Sequence, residues 1–202
     1  MQPETANISI DDEKLVEQCR NKDTDALERL IIKYKDRIYN VILRICANPD
    51  DAAELTQDTF VKIIENIGGF ERRSGFYTWA FRIAVNLTLN YCQRSAKHGF
   101  SSLDADSDEH SRQARAHLKD FLRDNSSPDP ALAAQNKEVG EIVAETLMKL
   151  DDAQRTVIVL RDIEGMNYAE IANVLGVELG TVKSRLSRAR GNLRKLLETT
   201  LR

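Results

Sequence analysis

Phe70, Phe76, Tyr77, Trp79 and Phe81 crowd a stretch that also carries Arg72, Arg73 and Arg82. A buried helix needs the rings without the arginines, and a solvated loop needs the reverse. The combination suits a nucleic-acid strand whose bases have left the duplex. Aromatic rings stack on unpaired bases at about 1–3 kcal/mol each, and guanidinium groups pair with phosphate. Downstream, Arg82, Asn86, Asn90 and Arg94 recur every four residues, so a helix would carry them as one polar stripe. Asparagine inside a helix costs about half a kcal/mol relative to alanine, and its amide can read base edges. Taken one at a time, each ring is better explained by core burial; it is the segment as a whole that points to nucleic acid.

A second basic group lies near the C-terminus, in "NYAEIANVLGVELGTVKSRLSRARGNLRKLL". Ala172 is small where two helices would cross, and Gly176, four residues on, suits a turn requiring positive φ. Ile171, Leu175, Val177 and Val182 form an apolar lock around that turn. Val182, Leu186, Ala189, Leu193 and Leu196 alternate spacings of four and three, one buried stripe. The opposite face carries Lys183, Ser184, Arg185, Ser187 and Arg188, then Arg190, Arg194 and Lys195, and no acidic residue occurs from Gly180 to Leu197. Such a helix fits the major groove by its N-terminal half, with hydroxyls and cations toward base edges and later arginines toward phosphate. A solvated helix face usually mixes charges of both signs, and this one does not. Glu178 sits near the groove-entering end, where it can also favour the helix N-terminus.

Net charge over the 202 residues is only −3, but it is unevenly spread: residues 71–98 carry +4 and residues 176–202 carry +5, within an otherwise acidic chain. Clustering of this kind is an electrostatic footprint that the average conceals. No apolar run approaches the roughly 20 residues of a membrane span, and the N-terminus is polar and acidic rather than a signal peptide. Cys19, Cys46 and Cys92 are widely spaced, without a CxxC or a nearby histidine pair. They read as reduced, mostly buried thiols of a cytoplasmic protein, with no metal site. No phosphate-binding glycine loop, metal-spaced carboxylate set or nucleophile–base pair is evident. His98, His110 and His117 lie in or beside a polar stretch ill suited to catalysis. The expectation is a protein that is not an enzyme and takes no cofactor.

Helical periodicity dominates the whole chain. Helices are expected from Asp12 to Arg20, from Thr24 as N-cap to Asn48-Pro49-Asp50, and from about Asp51 to Ile67, stopped by Gly68-Gly69. Leu27, Leu30, Ile31, Tyr34, Ile38, Val41, Ile42 and Ile45 mark the buried face of the second. A fourth buries Ala80, Ile83, Ala84, Leu87 and Tyr91. From Ser95 to about Asp129 the chain turns polar and Ser/Asp-rich, a linker with at most a weak helix over Ala114 to Leu122. Asp129-Pro130 reads as a helix start, and Asp151-x-x-Gln154 and Asn167-x-x-Glu170 as capping boxes for helices ending at Glu164-Gly165 and Gly176. A last helix runs from about Thr181 to Leu197. The fold class is all-α: two helical domains, 1–95 and 137–202, joined by a flexible acidic linker over 96–136.

A duplex reader and a melted-strand reader on one tethered chain make a promoter-recognition device. The chain resembles a bacterial RNA polymerase sigma factor of the small, extracytoplasmic-function (ECF) type. The carrying motifs are "DDAAELTQDTFVKI", Phe70 followed after five residues by "FYTWAFRIAVN", and "LDDAQRTVIVLRDIEGMNYAEIANVLGVELGTVKSRLSRAR". They span about residues 12–95, like sigma region two, and 137–198, like region four. The resemblance implies that Glu54, Leu55, Gln57, Asp58 and Phe60 dock on the clamp helices of the largest subunit of core RNA polymerase. It implies −10 recognition and melting by Lys62, Phe70, Ser74, Phe76, Tyr77, Arg82, Asn86 and Asn90, with an extruded base held by the loop. It implies −35 recognition by Thr181, Lys183, Ser184, Ser187 and Arg188, with Arg185 and Arg190 nearer phosphate. Glu71-Arg72-Arg73 departs from the arginine, glycine and acid of many relatives, so the −10 sequence does not carry over. The resemblance further implies an anti-sigma partner masking both DNA-reading lobes, and a linker that threads the polymerase's RNA path.

Two other readings stand beside it. A stand-alone regulator would use the C-terminal helix-turn-helix without polymerase, leaving the aromatic-basic segment unexplained. A DNA-processing enzyme such as a recombinase would need an arginine-flanked nucleophile or magnesium-binding carboxylates.

Overall fold

The computed structural model describes residues 5–71, 74–99, 140 and 142–200, and every regular element among them is helical. The N-terminal lobe comprises α1 (Thr5–Arg20), α2 (Thr24–Cys46), α3 (Pro49–Asn66) with a 3-10 turn at Ile67–Gly69, and α4 (Phe76–Gly99). The C-terminal lobe comprises α5 (142–148), α6 (Asp152–Ile158) running into a π-helical turn at Val159–Ile163, α7 (Tyr168–Leu175) and α8 (Leu179–Thr200). The expected starts at Asp129-Pro130 and over Ala114 to Leu122 lie outside the described residues.

Local chemistry sets the boundaries. Asp23, not Thr24, caps α2: its carboxylate accepts from the amides of Asp25 and Ala26 at 3.0 and 3.1 Å. Asp23 is a cap residue that also lets Thr24 enter the first turn. Ala47, at φ 62°, closes α2 by donating back to the Leu43 carbonyl. Asn48 then caps α3, with Pro49 in the first turn and Asp50 and Asp51 favouring the positive helix end. Asn167 and Glu170 form the reciprocal capping box expected of them, at 2.7 and 2.9 Å. Asp151 caps α6 through the Gln154 amide at 2.8 Å, while the Gln154 side chain turns instead to Asn192 on α8, 2.9 Å away. The box there is half made, because a tertiary partner takes the glutamine. α1 starts at Thr5, seven residues before the expected Asp12, and α4 continues to Gly99, past the Ser95 where the polar stretch begins.

Gly176 ends α7 at φ 63°, the left-handed conformation its place in the helix-turn-helix requires. An alanine Cβ there would meet nothing within 4 Å, so its cost is confined to the backbone. Gly176→Ala is expected to lower stability by about 1–2 kcal/mol without altering the folded structure, measured by urea denaturation.

The lobes are not separate bodies. α7 packs on α4, and α6 with its π-turn packs on α2. Val159, Leu160, Met166, Ile171, Val174 and Val182 join Leu30, Tyr34, Ile38, Ile42, Phe76 and Phe81 in one apolar core. A smaller core of Leu147, Leu150, Val157, Ile158, Leu186 and Ala189 holds α5, α6 and α8 together. This arrangement explains why α2 and α4 are buried more widely than their periodicity predicts. Every residue from Asn40 to Ile45 is buried, including Arg44, and α4 buries Phe81 and Val85 as well as Ala80 and Ala84. Polar bonds stitch the same seam: Arg155 donates from Nε to the Ile45 carbonyl at 3.0 Å and from Nη1 to the Leu150 carbonyl at 3.2 Å.

Cys46 and Cys92 are half-buried free thiols. Burial, above all, pushes Cys46 up to about 12 and Cys92 up to about 11, from an ordinary 9.0. A raised folded pKa contributes stability that is complete below the unfolded pKa and is lost as pH rises toward the folded one. Unfolding free energy is therefore expected to fall between about pH 9 and pH 11–12. Serine or alanine replacement of both thiols would flatten that slope in a pH series of urea melts.

Candidate nucleic-acid interface

The aromatic segment folds as both a core and a wall. Phe70 and Phe76 are only 6% and 5% exposed. Their rings meet edge-on at 6.1 Å, each contacts Trp79, and Phe76 reaches Tyr34 at 5.4 Å. Tyr77 stacks obliquely on Phe81 at 4.3 Å. The one-ring-at-a-time reading as core is therefore correct for the side chains' bodies. The remaining edges of Phe70, Phe76 and Tyr77, with Ser74, line a cavity of about 390 Å³ whose far wall is Glu164, Gly165, Met166 and Glu170 of the C-terminal lobe. That volume is in the range of small-ligand pockets, about 300–1,000 Å³.

From that cavity α4 leads away with its polar stripe outward. Arg82, Asn86 and Asn90 are exposed, as is Lys62 on α3. Arg94 bends back to the Asn90 carbonyl at 3.2 Å. Inside the cavity Arg37 lies over the Tyr77 ring, 4.7 Å from its centroid, and donates to its hydroxyl at 3.1 Å. Burial and then the Glu164 carboxylate push the Tyr77 hydroxyl far above its ordinary pKa, keeping it a hydrogen-bond donor. On the α1 side of the same cavity, beside Glu13, buried Asp12 accepts from Tyr34 and from Lys33 Nζ, pinning α1 to α2.

On α8 the expected duplex-reading face is free. Lys183, Ser184, Ser187 and Arg188 are exposed, and Thr181 and Arg185 are half-buried. Ser184 and Arg188 make only local bonds, to the Thr181 carbonyl at 3.0 Å and the Ser184 carbonyl at 3.3 Å. Arg190 is engaged differently, in a two-pronged pair with Asp162 of the π-turn. Thr181 and Arg185 border an open groove whose opposite side includes Arg82 of α4. The two proposed readers are thus neighbours in this conformation.

On α3, Glu54, Gln57 and Asp58 are exposed and Phe60 is half-buried, whereas Leu55 faces inward. Val61 and Ile64, 52% and 43% exposed, extend the same outer face and were missed from sequence. Their signal was available: an apolar pair on the helix side that periodicity assigns to solvent. Arg37, Arg44 and Glu164 were also missed, and no local pattern marks them, since the acid lies more than a hundred residues from the arginines.

Comparison with known proteins decides what these surfaces belong to. Residues 30–98 match the family model for sigma-70 region 2, and residues 140–193 that for sigma-70 region 4. The RNA polymerase sigma-H factor of Pseudomonas aeruginosa is 33% identical over 192 residues, 95% of this chain and 96% of that one. The chain belongs to the sigma-70 family, among the ECF RNA polymerase sigma factors. The ECF RNA polymerase sigma factor SigW of Bacillus subtilis is 30% identical over 91% of this sigma factor and 95% of its own length. Among solved structures, CnrH in complex with the cytosolic domain of CnrY superposes with a TM-score of 0.63 at 25% identity, covering 94% of this chain and 98% of CnrH. The sigma factor RpoE of Bartonella quintana, solved with the anti-sigma factor NepR, has the same fold, with a TM-score of 0.62 at 23% identity over 85% and 96% of the two chains. No described helix is long and apolar enough to cross a membrane.

Proposed function

We propose that this ECF sigma factor binds core RNA polymerase and delivers it to promoters by reading −35 duplex with α8 and melted −10 DNA with the Phe70–Phe76 loop and α4. The observation that carries the reading is the pairing, in one chain of sigma family, of an unobstructed cationic helix-turn-helix face with an aromatic-walled cavity beside an Arg/Asn stripe. Arg82, Asn86 and Asn90 would meet the single strand. Lys183, Ser184, Ser187 and Arg188 would meet base edges, with Thr181 and Arg185 at the groove margin. Arg190 would reach phosphate by exchanging Asp162 for it. Glu54, Gln57, Asp58 and Phe60, joined by Val61 and Ile64, form the face offered to the clamp helices, with Leu55 supporting it from below. In this reading residues 1–95 and 137–202 act as the two functional units, and the protein makes and breaks no bonds: the polymerase does. The chain also has an anti-sigma partner, in keeping with the NepR complex of its Bartonella quintana relative.

The stand-alone regulator and the recombinase leave the region-2 match and the aromatic cavity without a role. The test adds purified protein to bacterial core polymerase and fragmented genomic DNA, then sequences RNA 5′ ends. Discrete starts requiring both proteins, behind a shared two-part upstream motif, are expected. Unchanged polymerase output, with the free protein alone retaining particular duplex fragments, would restore the stand-alone regulator.

A further inference from the structure

We infer that Glu178 and Leu179, at the tip of α8, determine sequence preference in the −35 duplex: the carboxylate accepts from a cytosine amine, and the leucine meets a thymine methyl on a neighbouring base pair. This rests on the assignment of α8 to duplex reading. The turn between α7 and α8 fixes where the two residues stand. Gly176 ends α7, the Val177 amide donates back to the Ala172 carbonyl at 3.1 Å, and the Val177 side chain packs on the core. The Glu178 carbonyl then opens α8, accepting from the amides of Thr181 and Val182 at 2.9 and 3.2 Å. Glu178 and Leu179 are therefore the first side chains beyond the anchored turn, at the end of the helix suited to entering a major groove.

The fold uses neither of them. A helix start favours serine, threonine, aspartate or asparagine, whose short side chains bond the first free amides. Glu178 holds that place with a longer side chain. Among the described residues its carboxylate makes no hydrogen bond and no ion pair, although Arg82 and Arg185 line the same open groove. Leu179 is 41% exposed and stands one turn before Lys183, so it prolongs that cation's row to the helix tip. Gly180 follows, and a β-carbon there would meet nothing within 4 Å. Nothing in the protein itself requires glycine at that point, whereas a bare backbone lets a ligand approach closely.

Base chemistry then assigns the roles. In the major groove guanine shows only acceptors, and thymine an acceptor and a methyl group, while cytosine offers its N4 amine as a donor. A carboxylate is repelled by guanine, by thymine and by every phosphate, and is rewarded by cytosine. Glu178 thus weakens binding to most sequences and restores it for one, which is discrimination through an unfavourable element. Leu179 has no polar group to offer and gains only beside a methyl. A carboxylate that merely favoured the positive end of α8 would act alike on every DNA sequence.

The test uses holoenzyme, on a promoter located by 5′-end sequencing and rebuilt as a barcoded library with its −35 element randomised. The parent is compared with Glu178→Gln, Glu178→Ala, Leu179→Ala and, as a charge control at the far end of α8, Glu198→Gln. The parent is expected to favour cytosine at one −35 position, and thymine beside it, by roughly five-fold or more. Glutamine bonds adenine through N6 and N7, so Glu178→Gln should move the first preference from cytosine to adenine. Glu178→Ala should erase it and raise output from the other sequences. Deoxyuridine in place of the thymine, which removes only the methyl, should cost the parent about three- to four-fold and Leu179→Ala nothing. Glu198→Gln should track the parent. Unchanged base preferences in both Glu178 variants would overturn the inference while leaving α8 as the −35 reader, and a parent insensitive to deoxyuridine would overturn the part assigned to Leu179. A parent indifferent to the whole −35 sequence would overturn the duplex-reading assignment and this inference with it.

Discussion

Replacing Arg155 with alanine is expected to lower the stability of the native chain by about 3–5 kcal/mol, the cost of removing one partner from a buried charged network. The guanidinium is buried and is shared among the Ile45 and Leu150 carbonyls and the Asp152 carboxylate. Two of those acceptors are main-chain carbonyls that lose their donor inside the protein, and an unpaired buried acceptor costs about 1–3 kcal/mol. Lysine will not rescue, since a single ammonium cannot spread over acceptors on α2, on the α5–α6 turn and on α6. Urea denaturation monitored by circular dichroism measures the loss. The Ile45 bond also crosses between lobes, so the unfolding of Arg155→Ala should become less cooperative, with a smaller dependence on urea. A variant as stable as the parent would mean that Arg155 is replaceable by water.

The second large effect concerns duplex reading. Lys183→Ala combined with Arg188→Ala is expected to weaken −35-dependent transcription by roughly 30-fold to 10⁴-fold, from about 1–3 kcal/mol for each lost cationic contact. Neither side chain supports the fold: both are exposed, and Arg188 bonds only to a carbonyl one turn earlier on its own helix. Thermal stability should therefore stay within about 0.5 kcal/mol of the parent, as for other surface changes. Run-off transcription on a promoter defined by 5′-end sequencing provides the measurement. Repeating it across salt concentrations separates phosphate from base contact, because each phosphate contact removed flattens the salt dependence by about one. Unaltered transcription would remove α8 from −35 recognition.

Much of this protein is legible in one dimension. The helix boundaries follow from short-range chemistry: Asn48-Pro49, the Asn167/Glu170 box and Gly176 specify starts and stops through bonds spanning five residues or fewer. The α8 reading face is equally local, since the stripe Val182, Leu186, Ala189 leaves Lys183, Ser184, Ser187 and Arg188 outward whatever else the chain does. The asparagines of α4 stood out because they are poor helix formers held in strict register. Where local rules misled, a distant group had intervened: Gln154 abandons its capping box for Asn192, and Phe70 and Phe76 are core as well as wall.

What the sequence by itself determined was the helices, most of their inward faces and the two basic surfaces proposed to read DNA. Only the tertiary structure decided how those surfaces stand toward each other. Residues Asn40 to Ile45 are enclosed because a second lobe covers the side of α2 that periodicity gives to solvent. Glu164 meets Arg37 and Arg44 across more than a hundred residues. The physical reason is range. Capping and periodicity act over one or two helical turns and leave a record in neighbouring residues, whereas an ion pair between lobes leaves only an ordinary glutamate and two ordinary arginines until the fold brings them together.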